Sequence, residues 1–550
     1  MLGYFKEILD SAPREPLNWR LYYIITCFGF MGVARGLDES LVAAMLIQKS
    51  FVHDFGLDLM SASRKADVTG NITSIVQLGS LAGALIAFIM GDGVGRLWIA
   101  REMCTMWLVG VIVYMTSDGQ LGWLYVGRFI LGIGLGQMSI VAPMYLAECA
   151  EKSVRGFAVS LFGATEYFGM VLGYFASYGA AVHLPNSYSK QWVIPQVVPI
   201  IFAAIILALL AYAPESPRYL INVGKEERAA EVLSCLRGLP IGDPALSDEL
   251  SDIRAQLQQE NSVRLSTRSV SAMKELVSEP GNRYRLVVAI TAQLLTQWSG
   301  ASNITLYAPE FFAILGVPGH NQKLLYTAIL GIVKLVASLL FAIFVIDLLG
   351  RKRSLMAGIS LQFVGMLYIA VFLTVVPSAT DGAVHSPSQR HASTAAIAFI
   401  YLCGTGYAIG WNSMQYLVNA EIFPLRARAL GMSGVMVLHF ANRYGANKAL
   451  PEMLLDRALQ PHGTFYFFAA VTALGLAWVW GFLPELAGKS LEETDAVFEL
   501  PWYKIGRYRS RSENMPDREN AASVMSNKER SEDATRDTAV DVSRRMDDRG

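Results

Sequence analysis

Charge is what this chain has little of. Of its 550 residues 17% are Asp, Glu, Lys or Arg, where a soluble protein carries about 25%, and those present are clustered. The 46 basic and 46 acidic residues cancel, which leaves no electrostatic footprint for nucleic acid. Cysteine is also scarce. Cys27, Cys104, Cys149, Cys235 and Cys403 are scattered, mostly through apolar runs, so neither a disulfide frame nor a metal site is expected. No cleavable leader is expected either: the N-terminal stretch is polar and charged, and the first apolar run is long enough to stay in a bilayer. No nucleophile or nucleotide loop stands out, because Gly91-x-Gly-x-Gly lacks the preceding strand that a nucleotide fold needs. An enzyme and a bound cofactor are therefore not expected.

Long apolar runs are abundant. Hydrophobic residues make up 53% of the chain, and a helix crossing hydrocarbon needs about 20 of them. Twelve candidate runs are centred near residues 34, 81, 109, 132, 167, 203, 297, 335, 366, 405, 438 and 474. The longest polar break, from about Pro214 to Tyr284, divides them six and six. The expected layout is an N-terminus (1–20), a six-helix half (21–213), a middle loop (214–284), a second six-helix half (285–483) and a tail (484–550). The tail beyond about residue 508 is rich in Arg, Asp, Glu and Ser and reads as disordered. In the middle loop, Lys225 to Arg237 places Ala229, Val232, Leu233 and Leu236 on one stripe, and Asp248 to Glu260 repeats the pattern. Basic residues collect in alternate short loops, at Arg96 and Arg101, Lys152 and Arg155, Arg351 to Arg353, and Arg426 and Arg428. The positive-inside rule puts those loops, the middle loop and both termini in the cytoplasm. A multi-pass protein of the plasma membrane, working as a monomer in the lipid bilayer, is expected.

The stretch from Arg128 to Gly156 organises the rest. It begins with an arginine, carries Gly132, Gly134 and Gly136, then Pro143, and leaves the apolar region at Glu148 and Arg155. Arginine inside a membrane helix needs an interior partner, and the glycines let another helix come close. If the first helix runs from about Leu21 to Leu46, Asp38 and Arg128 lie at similar depth, counted at about 1.5 Å per residue. Such a pair is either a proton-coupling device, since a carboxylate parted from its arginine in low dielectric takes up a proton, or a permanent structural ion pair. Arg35 and Glu39 compete for the same partners. A seventh helix spanning Ile290 to Phe312 puts Gln293 and Gln297 one turn apart, with Asn303 and Tyr307 repeating that spacing. Amides both donate and accept, which suits either a sugar's hydroxyls or a neighbouring helix. Glu166 in the fifth helix is a functional candidate or an interior ion-pair member. Helix ten offers Trp411, Asn412, Gln415 and Tyr416, whose aromatics stack on sugar or simply pack. Helix eleven offers His439, Asn442, Arg443 and Asn447. Arg443 favours an anionic or very polar solute if it faces a cavity. Arg96, Glu148 and Arg155 in the first half and Arg351, Glu421 and Arg428 in the second stand at helix ends, where ion pairs between halves would form a two-state gate.

The two halves echo one another. Gly91-Asp92-Gly-Val-Gly95-Arg96 is matched by Asp347-Leu-Leu-Gly350-Arg351, and Glu148…Arg155 by Glu421…Arg428, as a duplicated six-helix unit would leave. Over about residues 20 to 505 the sequence resembles the sugar porters of the major facilitator superfamily. The likeness rests on Arg128, the glycine ladder, Pro143, Tyr145, Glu148, Arg155 and Gly156. It continues in Pro214-Glu-Ser-Pro-Arg218, in Gln297, Ser299, Gly300 and Tyr307, and in Pro484-Glu-Leu-Ala-Gly488. Phe498 to Lys504 resembles filamentous-fungal monosaccharide (glucose) transporters. There are departures: Leu37 replaces the usual Tyr before Asp38, Thr296 the first Gln of helix seven, Ser302 the Asn, Phe162 and Gly163 the Gln pair of helix five, and Tyr416 a Trp. The resemblance implies an all-α membrane protein of twelve transmembrane helices in two halves. It also implies import of a hexose with a proton, coupled by Asp38 and Arg128. Solute contacts are then expected from Gln293, Gln297, Ser302, Asn303, Tyr307, Trp411, Asn412, Tyr416 and Glu166. Two alternatives stay open. One is a transporter-like glucose sensor, suggested by the eroded contacts at Phe162, Gly163 and Thr296. The other is a porter of another polyol, organic acid or pathway metabolite, suggested by Glu166 and Arg443.

Overall fold

The structure is a computed structural model. It describes residues 18–90, 93–151, 154–185, 189–264, 278–341, 350–377, 386–412, 422–423, 428–485, 497–498 and 500–506. The expected disordered tail, Gln415, Tyr416 and Glu421 lie outside these residues. Among the described residues there is no strand, and the helices make twelve spans. Span 1 is Trp19–Gly29 with Gly32–Met45, span 2 Ala62–Met90, span 3 Arg96–Met115, span 4 Leu121–Cys149, span 5 Arg155–His183 and span 6 Ile194–Leu210. In the second half, span 7 is Pro280–Trp298, Ala301–Leu306 and Ala308–Ile314, and span 8 is His320–Leu340. Spans 9 to 12 are Arg351–Val375, Pro387–Asn412, Arg428–Met453 and Gln460–Phe482. Seven of them, spans 2, 3, 4, 8, 9, 10 and 12, are apolar and long enough to cross a membrane on composition alone.

Two spans expected to be unbroken are interrupted. Span 1 pauses at Phe30 and Met31. Span 7 breaks after Trp298, where Gly300 takes φ +79°. That conformation is open to glycine, and a Cβ there would run into the ring of Phe468. It breaks again at Tyr307, just before Pro309, whose missing N–H suits the first turn of a new helix. Such breaks are tolerated in a bilayer when they are buried in protein, and every residue from Ala301 to Pro309 is buried.

Backbone-to-backbone seams hold the first half together. A methyl group at Gly132 or Gly136 of span 4 would overlap the carbonyls of Val76 or Ser80 in span 2, and one at Gly79 or Gly83 would overlap those of Phe129 or Ile133. The glycines expected to admit a neighbour therefore form a reciprocal seam between spans 2 and 4. A second seam joins spans 1 and 5, where Gly36 lies against the Glu166 carbonyl and Gly169 against that of Val33. It is this seam that sets Glu166 beside the charged turn of span 1.

The sequence repeat has a structural counterpart. Glu215 accepts from the backbone N–H groups of Arg96 (3.0 Å) and Leu97 (3.1 Å) at the start of span 3. Glu485 accepts in the same way from Arg351 (2.8 Å) and Lys352 (3.1 Å) at the start of span 9. Each carboxylate caps orphan donors and meets the positive end of a helix dipole. The preceding glycines, Gly95 and Gly350, have φ +101° and +80° and abut the same carboxylates. Burial raises the Glu215 carboxyl above its usual range, against the pull of three backbone N–H groups and the Arg96 guanidinium. In the middle region, helices Glu226–Arg237 and Pro244–Arg264 pack through Leu233, Leu246 and Leu250. Ala229, Leu233 and Leu236 of the expected stripe are buried, while Val232 is only partly so. Arg237 donates to the Cys149 carbonyl at 3.0 Å and ties this cap to the end of span 4. We call that side of the bundle the cap end and the other the far end.

Replacing either capping carboxylate, Glu215→Ala or Glu485→Ala, is expected to lower stability by about 1–2 kcal/mol. Thermal unfolding of the purified protein in detergent measures this. An unchanged midpoint for both variants would count against the capping role.

Candidate functional site

Span 1 carries four polar residues in the turn and a half from Arg35 to Ser40, all buried. Helical geometry separates them. Arg35 and Glu39 are one turn apart and share a face, while Asp38 is rotated by about 100° from Glu39 and points elsewhere. Two charge clusters result.

The first is the pair expected from depth. Arg128 Nη1 donates to Asp38 Oδ1 at 3.0 Å and Nη2 to Oδ2 at 3.5 Å, with Nε on the Ile72 carbonyl at 2.6 Å. Arg128 is 1% exposed. The pair lies wholly within the first half, between spans 1 and 4, and is braced by span 2.

The second cluster joins the halves. Arg35 Nε lies 3.4 Å from Glu39 Oε1 and 3.3 Å from Glu166 Oε1. Arg443 of span 11 donates to Glu39 from across the bundle. Lys334 of span 8 interacts electrostatically with Glu39, Glu166 and Arg443. Among the described residues Lys334 has no carboxylate within ion-pair distance. Its ammonium donates to Thr305 Oγ1 at 2.5 Å and sits 5.1 Å from the ring centres of both Tyr167 and Tyr407. Arg35 and Glu39, read as competitors for Asp38 and Arg128, are thus engaged separately. Lys334 was not singled out from the sequence, although the signal was there as a single Lys in the run from Leu324 to Leu340.

Polar groups of span 7 border the second cluster. His439 Nδ1 lies 2.9 Å from Gln293 Oε1 and 3.2 Å from Gln297 Nε2, so both amides converge on one imidazole. Gln297 Oε1, Asn303 Oδ1, His439 Nε2, Arg443 Nε, Trp411 Nε1 and Glu166 Oε2 are buried and have no hydrogen-bond partner among the described residues. Ser302, just after the break at Gly300, and Asn412, two residues after Gly410 leaves helical geometry near the end of span 10, are buried too. Tyr307 is engaged differently. Its hydroxyl bonds Thr73 Oγ1 (2.7 Å) and the Asn447 carbonyl (3.1 Å), and so bridges spans 2, 7 and 11. With Lys448 on Asp67 and Asn71, and Arg457 on Ser63 (2.6 Å), it joins the halves at the far end.

At the cap end, Arg96 pairs with Glu148 at 3.1 Å inside the first half, and Glu148 also accepts from Ser216. The Arg351 backbone is held by Glu485 inside the second half. These described pairings lie within halves. The side chains of Arg155 and Arg428 lie outside the described set, as does Glu421.

Twelve spans in two halves around buried charge at mid-depth define a membrane transporter fold. The family model described as sugar (and other) transporter matches residues 24–498, and the chain belongs to that family. Among curated proteins it is 29% identical over 495 residues to a probable quinate permease of Neosartorya fischeri, covering 89% of each chain. It is 28% identical over 490 residues to the quinate permease of Emericella nidulans, covering 89% of this chain and 90% of that one. Among solved structures, the proton:xylose symporter XylE bound to 6-bromo-6-deoxy-D-glucose superposes with a TM-score of 0.72 at 22% identity, over 87% of this chain and 99% of that one. The fold is therefore the all-α major facilitator fold, and the chain is a multi-pass membrane transporter rather than an enzyme. These relatives are named for quinate, so the narrower likeness to fungal glucose transporters is not carried by them.

Tyr307→Phe removes two buried hydrogen bonds, one of them to the opposite half's Thr73, each worth about 1 kcal/mol. It is expected to raise far-end opening several-fold. Labelling of Ala66→Cys by an impermeant thiol reagent, with and without Tyr307→Phe, reads this out. Equal labelling rates would show that the bonds do not hold that end shut.

Proposed function

We propose that this chain is a proton-linked carrier of small hydroxylated acids, of which quinate is the model, rather than of a neutral hexose. The observation that carries the reading is the charge balance of the second cluster. Among the described residues, Arg35, Lys334 and Arg443 face two carboxylates, Glu39 and Glu166, which leaves one more cation than anion in the cluster. Two ring faces offset about 2 kcal/mol of the cost of burying Lys334 and the Thr305 hydroxyl a similar amount, against several kcal/mol for a desolvated ion. A solute bearing one carboxylate completes the balance, and a neutral sugar does not. The unpartnered groups of Gln297, Asn303, His439 and Trp411 suit the hydroxyls of such an acid. The relatives named quinate permease support the same class.

Asp38 and Arg128 carry the proton linkage in this reading. They form a closed pair apart from the solute cluster, so protonating Asp38 frees Arg128 without disturbing solute contacts. The basic loops put the cap end and both termini in the cytoplasm, and the bonded far end then makes this a state closed to the outside. Gln293, Ser302 and Asn412 line the solute's surroundings, Glu166 holds Arg35 in place, and Tyr307 serves closure. Arg96, Glu148, Arg155, Arg351, Glu421 and Arg428 belong to the cytoplasmic gate.

The test is uptake of labelled quinate and labelled glucose in yeast lacking its own hexose carriers, with and without a protonophore. Quinate should accumulate, the protonophore should abolish accumulation, and excess glucose should not compete. Lys334→Met should cut quinate uptake at least about tenfold, a loss of about 1.4 kcal/mol or more. Asp38→Asn should keep exchange but lose uphill accumulation. Glucose uptake blocked by no acid would overturn the substrate class, and accumulation by Asp38→Asn would overturn the coupling.

A further inference from the structure

Glu39 is the one described carboxylate of the second cluster that touches cations from both halves. Within span 1 it accepts from Arg35 at 3.4 Å, and across the bundle it accepts from Arg443 Nη2. Its side chain is 8% exposed and that of Arg443 3%. Among the described residues the cluster is nevertheless one anion short: Lys334 has no carboxylate within ion-pair distance, and Arg443 Nε is buried without a hydrogen-bond partner. Glu166 cannot make up the deficit from where it stands: its Oε1 serves Arg35, and span 5 is pinned to span 1 at Gly36.

We propose that Glu39 is a built-in stand-in for the substrate's carboxylate. In the empty carrier it neutralises Arg443 while the halves are closed around the centre, which lets the unloaded protein pass between its two states. When a hydroxylated acid binds, its carboxylate takes Arg443 together with Lys334, and Glu39 keeps Arg35 within its own half. The argument is one of pairing. A guanidinium shut between closed halves without an anion is strongly unfavourable, so each closed passage needs a carboxylate on Arg443, either the substrate's or Glu39. Competition follows when the solute's carboxylate takes the Nη2 donor that Glu39 holds in the empty carrier, and the affinity for the acid is then lowered by whatever free energy the Glu39 pair contributes. The inference rests on the proposed acid substrate and adds to it how the empty carrier returns.

The test uses the full chain in proteoliposomes with labelled quinate, comparing net uptake, in which the return leg is empty, with exchange, in which both legs are loaded. Glu39→Gln should tighten half-saturation for quinate about tenfold, keep exchange within about threefold of the parent, and cut net uptake about tenfold or more. It should leave the weak binding of uncharged methyl quinate unchanged, which a general loosening of the site would not. Glu39→Asp, which keeps the charge but shortens the reach to Arg443, should move every quantity the same way by less, and it carries the test if the Gln variant does not fold. Net uptake and exchange falling together, or quinate affinity unchanged or weaker, would overturn the proposal. If the parent protein carries glucose and not quinate, the acid reading itself fails, and that outcome is visible before any variant is made.

Discussion

Everything at the centre of this protein follows from the cost of placing a charge where water cannot reach it. A lone ion in the bilayer interior is disfavoured by several kcal/mol or more, so each charged side chain there must find an opposite charge, a hydroxyl or a ring face. The chain meets this demand in two ways. Asp38 and Arg128 close on each other within one half and need nothing further. Among the described residues, Arg35, Glu39, Glu166, Lys334 and Arg443 hold more cations than carboxylates, and they meet across two halves. In the proposed reading, a proton opens the complete pair by neutralising one member, and a charged solute completes the other cluster.

The apolar framework exists to bring these groups into register. The seam between spans 1 and 5 brings two backbones into direct contact, and it places Glu166 beside Arg35. The seam between spans 2 and 4 does the same for Arg128, which finds the Ile72 carbonyl of span 2 at 2.6 Å as well as Asp38. Van der Waals packing, which lipid cannot supply as tightly as a complementary helix, thus determines which charges can meet.

Much of this could be read from the sequence, and what could not was long-range. Twelve apolar runs, the six-and-six division and the Asp38–Arg128 pair were legible because each depends on local counting along regular helices. The convergence of Gln293 and Gln297 was legible as a spacing, but their common partner, His439, was not. Lys334 escaped notice because one lysine barely changes the character of a 21-residue apolar helix, although its isolation was itself the clue. The break at Gly300 was hidden because the glycine sits in a motif that also reads as continuous helix. The cap-end carboxylates were legible only as members of the Pro214–Arg218 and Pro484–Gly488 motifs, without their partners, since Glu215 meets a backbone 119 residues away and Glu485 one 134 residues away. No periodicity reports such a bond.

Those two carboxylates also bear on how the molecule moves. Each half stitches the close of its sixth span to the start of its third, and these bonds at the cap end run inside a half. A hinge works when its leaves are stiff and the seam between them is weak. Self-fastened leaves let the seam be remade at every turn while neither leaf bends. The work of each cycle is then spent on the few contacts that cross the seam, and a single substituted side chain there can set the pace of the whole machine.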